Sequence, residues 1–135
     1  LDSAVFIYQI EGNPAYVELT HQIFSWLKTA GVKGITSTIT MLEVLVHPYR
    51  QSDLERVDLY YGLLSTYPRL EWVAASLEIA DTAAHLRAGL NLRTPDAVQA
   101  STAIHSAATG FISNDPVFRK IQALDVLILD DLIDI

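Results

Sequence analysis

The sequence predicts an α/β fold in three layers, a central parallel sheet with helices on both faces. Three observations carry that expectation. Short apolar, β-branched segments alternate with longer segments of helical period, and Gly or Pro marks the junctions. Half of the 135 residues are apolar, enough to bury one core. No repeat, low-complexity tract or linker divides the chain, so residues 1–135 read as one domain. Strands separated by helices imply parallel pairing, because parallel strands need a long crossover.

Taken in order, Leu1 and Asp2 read as the end of a first strand truncated before Leu1. "SAVFIYQIEG" predicts a helix from Ser3 that stops near Gly12. "PAYVELTHQIFSWLKTA" is amphipathic, with Tyr16, Leu19, Ile23, Phe24 and Leu27 on one face and Gly31 as its stop. "KGITST" predicts a strand, and "TMLEVLVHP" a short helix opened by a Thr40–Glu43 capping box and closed by Pro48. "SDLERVDLYYGLLSTYP" is helical, with Ser52 as N-cap and Glu55 at the capping-box position. "LEWVAA" is a strand and "SLEIADTAAHLRAGL" a helix. Thr94 as N-cap and Pro95 at the first position open the next helix. Its small residues Ala97, Ala100, Ser101 and Ala103 let it lie close to the sheet. The strand "GFISN", the helix "PVFRKI" and the strand "DVLILD" complete the pattern. Asp125, Asp130, Asp131 and Asp134 read as a solvated end.

The balance is acidic, nine Lys and Arg against sixteen Asp and Glu, which argues against a broad basic surface for nucleic acid. It suits acids concentrated in one metal pocket. Cysteine is absent, which removes disulfides, thiol nucleophiles and cysteine-ligated zinc and fits a reducing compartment. No apolar run approaches the ~18 residues of a membrane span, and no signal-peptide pattern opens the chain. A cytoplasmic protein with no membrane partner is expected.

Ligands of open parallel sheets bind beyond the carboxyl ends of the strands. Asp2, Glu43, Asp96 and Asp115 all fall at strand-to-helix junctions, which this fold brings to one edge. Each also has a structural role open to it. Asp2 and Asp115 suit N-caps, Glu43 completes the capping box, and Asp96 complements a helix dipole. Four carboxylates in one cleft repel one another unless a cation is present. Oxygen donors without Cys or paired His select Mg²⁺ or Mn²⁺, whose chemistry is activation of water and stabilisation of phosphoryl charge. Arg87 and Arg93 flank Asp96 and suit either bidentate phosphate contact or an ion pair closing the cleft. His21, His47, His85 and His105 lack ligand spacing, and no GxSxG elbow or phosphate-cradling glycine loop occurs. Trp26, Trp72 and the tyrosines fall on apolar periodic faces. "YYGLL", Tyr60 to Leu64, is a candidate partner or homodimer surface.

"LDSAVFIY", "TSTITMLEVL", "LRTPDAVQASTAI" and "GFISNDPVFRKI" resemble, in this order and at the expected separations, the four motifs of PIN-domain nucleases. The last two are the most specific. The resemblance covers nearly the whole chain, lacking most of the first strand, and Ala4 stands where other members vary. It implies that Asp2, Glu43, Asp96 and Asp115 hold one or two divalent metals, Mg²⁺ or Mn²⁺. Ser113 matches a Thr or Ser position that supports the metal site. The implied substrate is single-stranded or structured RNA. A lone domain of this size is similar to the toxin component (VapC type) of prokaryotic toxin–antitoxin pairs, which implies an endoribonuclease with a cognate antitoxin. Two rivals remain: a PIN-like module that binds protein or RNA without cleaving, and a phosphoacceptor receiver domain. The latter wants adjacent acids after the first strand and a lysine after the last, where this chain has Asp2–Ser3 and Asp130–Asp131.

Overall fold

In the computed structural model, which describes residues 1–133, twelve elements alternate much as the pattern demands. They are α1 (Ser3–Glu11), α2 (Val17–Leu27), β1 (Gly34–Ser37), α3 (Ile39–Arg50), α4 (Leu54–Ser65) and β2 (Leu70–Val73). Then come α5 (Leu77–Leu90), α6 (Thr94–His105), β3 (Phe111–Ser113), a 3₁₀ helix (Pro116–Lys120), β4 (Val126–Ile128) and α7 (Asp130–Ile133).

The strands are parallel. β1 pairs with β2, Gly34 opposite Leu70, and β3 pairs with β4, Phe111 opposite Val126. Two residues join these pairs. The Leu1 amine donates to the Ile35 carbonyl at 2.8 Å, and the Asp2 N–H donates to the Ile112 carbonyl at 2.9 Å. The backbone order is therefore β2, β1, residues 1–2, β3, β4. Beside Leu1 the space between β1 and β3 is a groove of about 650 Å³, lined among others by Leu27, Ile35, Gln99, Ala103 and Ile112.

The layers follow from strand alternation. Phe111 is buried in one core with Phe118, Ala97 and Ala100, under α5 and α6. The next residue, Ile112, packs on the opposite side against Val5, Phe6, Phe24 and Leu129, the core of α1 to α4. Ala97, Ala100 and Ala103 are almost wholly enclosed. A larger side chain at Ala100 has no space to enter, and overpacking of this kind costs about 1–3 kcal/mol.

Several local expectations give way to stronger local partners. α3 runs past Pro48 to Arg50, because a proline in the last turn forfeits only one intrahelical N–H bond. Its carbonyl still accepts from the Asp53 N–H at 2.9 Å. Asp53, not Ser52, caps α4 by accepting from the Arg56 N–H at 3.1 Å, which moves Glu55 off the capping-box position. Ser52 instead adopts positive φ in the turn. Arg93 holds the N-cap position of α6, so Thr94 lies inside the helix. The Thr40–Glu43 box does not form: Thr40 lies within α3 and its hydroxyl turns into the core. The helix after Asp115 is 3₁₀ rather than α.

Candidate metal centre

Each acid is placed by its own backbone. Asp2 is the N-cap of α1; one oxygen accepts from the Ser3 N–H at 2.9 Å and the other from the Ser113 hydroxyl at 2.7 Å. Ser113 ends β3, and its Oγ also accepts from the Asp115 N–H at 3.0 Å. One hydroxyl thus ties two acid-bearing junctions together. Asp115 caps the 3₁₀ helix through the Val117 N–H at 2.9 Å. Glu43 lies on α3 and accepts from the Ser3 hydroxyl at 2.9 Å, so Ser3 serves Asp2 by its amide and Glu43 by its side chain. Asp96, in the first turn of α6, is buried and receives both Arg93 Nε at 3.0 Å and Nη2 at 3.3 Å.

The charges report how the acids face one another. Burial holds the Asp2 carboxyl above its ordinary value despite hydrogen bonds from Ser113 and Ser3, and the Asp96 charge pushes it further. Burial also raises Glu43, against the Ser3 hydrogen bond, with the Asp2 and Asp96 charges adding to the rise. Arg93 is held more firmly protonated by its hydrogen bonds and attraction to Asp96, with Glu43 and Asp115 contributing. Asp2, Glu43 and Asp96 therefore share one field, and Arg93 faces Glu43, Asp96 and Asp115.

That donor set fits a hard divalent cation: carboxylate oxygens only, partly desolvated and mutually repelling. Among the described residues, no three acid or imidazole side chains already form a cation shell. Arg93 supplies the positive charge at Asp96 instead. Its side chain is 72% exposed, so it is free to withdraw into solvent.

The other candidates bond outside the acid set or lie at the surface. Arg87 donates from Nε to the Leu92 carbonyl at 3.1 Å, at the turn between α5 and α6. His105 bonds Thr82, and His21, His47 and His85 are at the surface. Asp130 and Asp131 are not merely solvated: Asp130 accepts from the Tyr16 hydroxyl at 2.6 Å, and Asp131 pairs with Arg119. Asp125 is exposed, and Asp134 lies outside the described residues. Within "YYGLL", Tyr60 and Leu64 belong to the core while Tyr61 and Leu63 are exposed. Ser3 was not among the residues singled out from sequence, although its place between Asp2 and a helix start is a visible signal. The buried polar residues Thr36 and Gln99 carry no sequence signal, and Thr40 carries only that of a capping box the structure does not form.

Parallel strands with four acids at their carboxyl edge, two joined through a serine, define an acid-cleft α/β domain. The PIN domain model matches residues 1–124, and the chain belongs to the PIN-domain family. The fold is similar to that in a toxin–antitoxin complex from Klebsiella pneumoniae, at 21% identity and TM-score 0.65 over 93% of this chain and 92% of that one. It is also similar to that in VapBC2 from Rickettsia felis bound to a promoter DNA fragment, at 18% identity and TM-score 0.64 over 93% of both chains. A search of curated proteins gave no match.

Proposed function

We propose that this chain is a Mg²⁺- or Mn²⁺-dependent endoribonuclease, the toxin of a toxin–antitoxin pair. The observation that carries the proposal is the gathering of Asp2, Glu43 and Asp115 around Ser3 and Ser113 at one edge of the strands, with the Asp96 charge acting on both Asp2 and Glu43. Membership of the PIN family supports nuclease chemistry, and the likeness to two toxin–antitoxin complexes supports an antitoxin partner. The four acids would hold the metal, which when bound supplies an activated water and neutralises phosphoryl charge. Ser113 fixes the Asp2 carboxylate, and Ser3 holds Asp2 and Glu43 at a set separation. Arg93, once released from Asp96, is placed to bind a substrate phosphate. Arg87 is a second candidate for that contact. The exposed Leu59, Tyr61 and Leu63 of α4 suit a protein partner, an antitoxin or a second copy of the chain.

One observation favours a non-catalytic binding module: Arg93 already neutralises Asp96. Turnover separates the two. An amide oxygen can still accept the bonds that the Val117 N–H gives Asp115, the Ser3 hydroxyl gives Glu43 and Arg93 gives Asp96, so Asp96→Asn, Asp115→Asn and Glu43→Gln should stay folded. Each is expected to lose cleavage of a mixed RNA pool with Mn²⁺ by about 100-fold. Folded variants that all cleave like the parent would contradict the nuclease reading.

A further inference from the structure

Three buried polar side chains outside the acid set bond in series, and the positions of their protons define a single direction. Gln99 on α6 donates from Nε2 to Thr40 Oγ1 at 2.7 Å. Thr40 on α3 and Thr36 on β1 share a hydrogen bond of 2.7 Å. Thr36 donates from Oγ1 to the Leu1 carbonyl at 2.9 Å. Each hydroxyl has one proton. Thr36 spends its proton on Leu1, so Thr40 must be the donor to Thr36, and Thr40 must accept from the Gln99 amide. The relay then crosses the Leu1–Asp2 peptide, whose N–H donates to the Ile112 carbonyl at 2.9 Å. All three residues are at most 2% exposed, and the bonds among them are buried.

The sequence positions give the relay its meaning. Gln99 lies one turn after Asp96, and Thr40 one turn before Glu43. Leu1 precedes Asp2, and Ile112 precedes Ser113, which holds the Asp115 amide. Every segment that bears an acid is therefore fastened to the next by one chain of hydrogen bonds beneath the cleft.

We infer that Gln99, Thr40 and Thr36 are positioning residues that set the mutual placement of Asp2, Glu43 and Asp96 for a divalent cation. The inference rests on the metal reading of the cleft given above. Replacing any link by an apolar isostere leaves its buried neighbour in the chain one hydrogen bond short. The segments are then free to part, and the cation loses its geometry before the fold is lost.

The test compares Thr40→Val, Gln99→Leu and Thr36→Val with Thr40→Ser, which keeps the hydroxyl. Ser101→Ala is the control. It deletes a buried bond of similar length from the same helix, Ser101 Oγ to the Ile79 carbonyl at 2.7 Å, on the side facing α5. Mn²⁺ affinity is measured by calorimetry, and metal-free melting by a thermal cycle on Gln99→Leu, Thr40→Val and the double variant. Three isosteric variants probe the same relay, so failure of one to fold leaves two to decide. The expected result is a loss of Mn²⁺ affinity of about 10–100-fold in these variants. Thr40→Ser should stay near the parent, and Ser101→Ala should melt lower with its Mn²⁺ affinity unchanged. The fall in melting temperature of the double variant should be smaller than the sum of the single falls. In RNA cleavage, kcat should fall at subsaturating Mn²⁺ and recover at saturation, with KM for RNA unmoved. Isosteric variants that melt lower yet bind Mn²⁺ like the parent overturn the inference and leave the metal reading intact, as does strict additivity in the cycle. A parent protein that binds no Mn²⁺ overturns the metal reading, and the positioning role with it.

Discussion

Asp2 receives two hydrogen bonds and still titrates above the ordinary carboxylate range, because burial and the Asp96 charge outweigh them. A carboxyl whose folded pKa is raised stabilises the fold below its unfolded pKa, and that contribution is lost as pH rises through the folded pKa. At neutral pH the ionised Asp2 is therefore a net cost to the metal-free protein. Asp2→Asn is expected to melt at or above the parent at pH 7 without metal. Its advantage should shrink as pH is lowered through the Asp2 pKa, where the parent carboxyl becomes neutral too. Melting curves of both proteins between pH 4 and pH 8 check this. An advantage that grew on acidification would show that Asp2 is stabilised as an anion. At this scale the junction positions of Asp2, Glu43, Asp96 and Asp115 were legible, since capping preferences and βα periodicity are local. The Ser3 bridge and the turn of Thr40 away from its capping box were not. Both depend on partners 40 and 59 residues distant, Glu43 for Ser3 and Gln99 for Thr40.

α1 stops where its sequence signal puts it, at Gly12 in a left-handed conformation, whereas α2 ends at Leu27, short of Gly31, and Ser76 caps α5 through the Ile79 N–H at 3.1 Å. Misreadings cluster where two adjacent residues compete for one role, as Ser52 and Asp53 do at the start of α4. At the groove between β1 and β3, Gly34 donates to Arg69 and Thr38 to Val73, so by strand alternation the Ile35 N–H faces the groove rather than β2.

The whole molecule carries a formal charge of −7, and part of that excess is concentrated in one cleft where burial makes it costly. The class of fold was legible because it depends on period and punctuation, properties of short segments. The two parallel pairs are joined by residues 1–2, which bond to β1 and β3 where the sequence places the end of a first strand. Arg93 was the most ambiguous residue in the sequence, and the structure gives it a definite partner in Asp96. A cation entering the cleft must compete with that guanidinium, and it gains by relieving the repulsion among Asp2, Glu43 and Asp96. The most direct measurement of this balance is the melting temperature of the unaltered protein titrated with Mn²⁺ and, separately, Mg²⁺. At a concentration ~100-fold above the dissociation constant, binding to the folded state alone adds about 2.7 kcal/mol, so the melting temperature should climb with metal and continue to rise logarithmically. A melting temperature unmoved by millimolar Mn²⁺ and Mg²⁺ would contradict the metal centre.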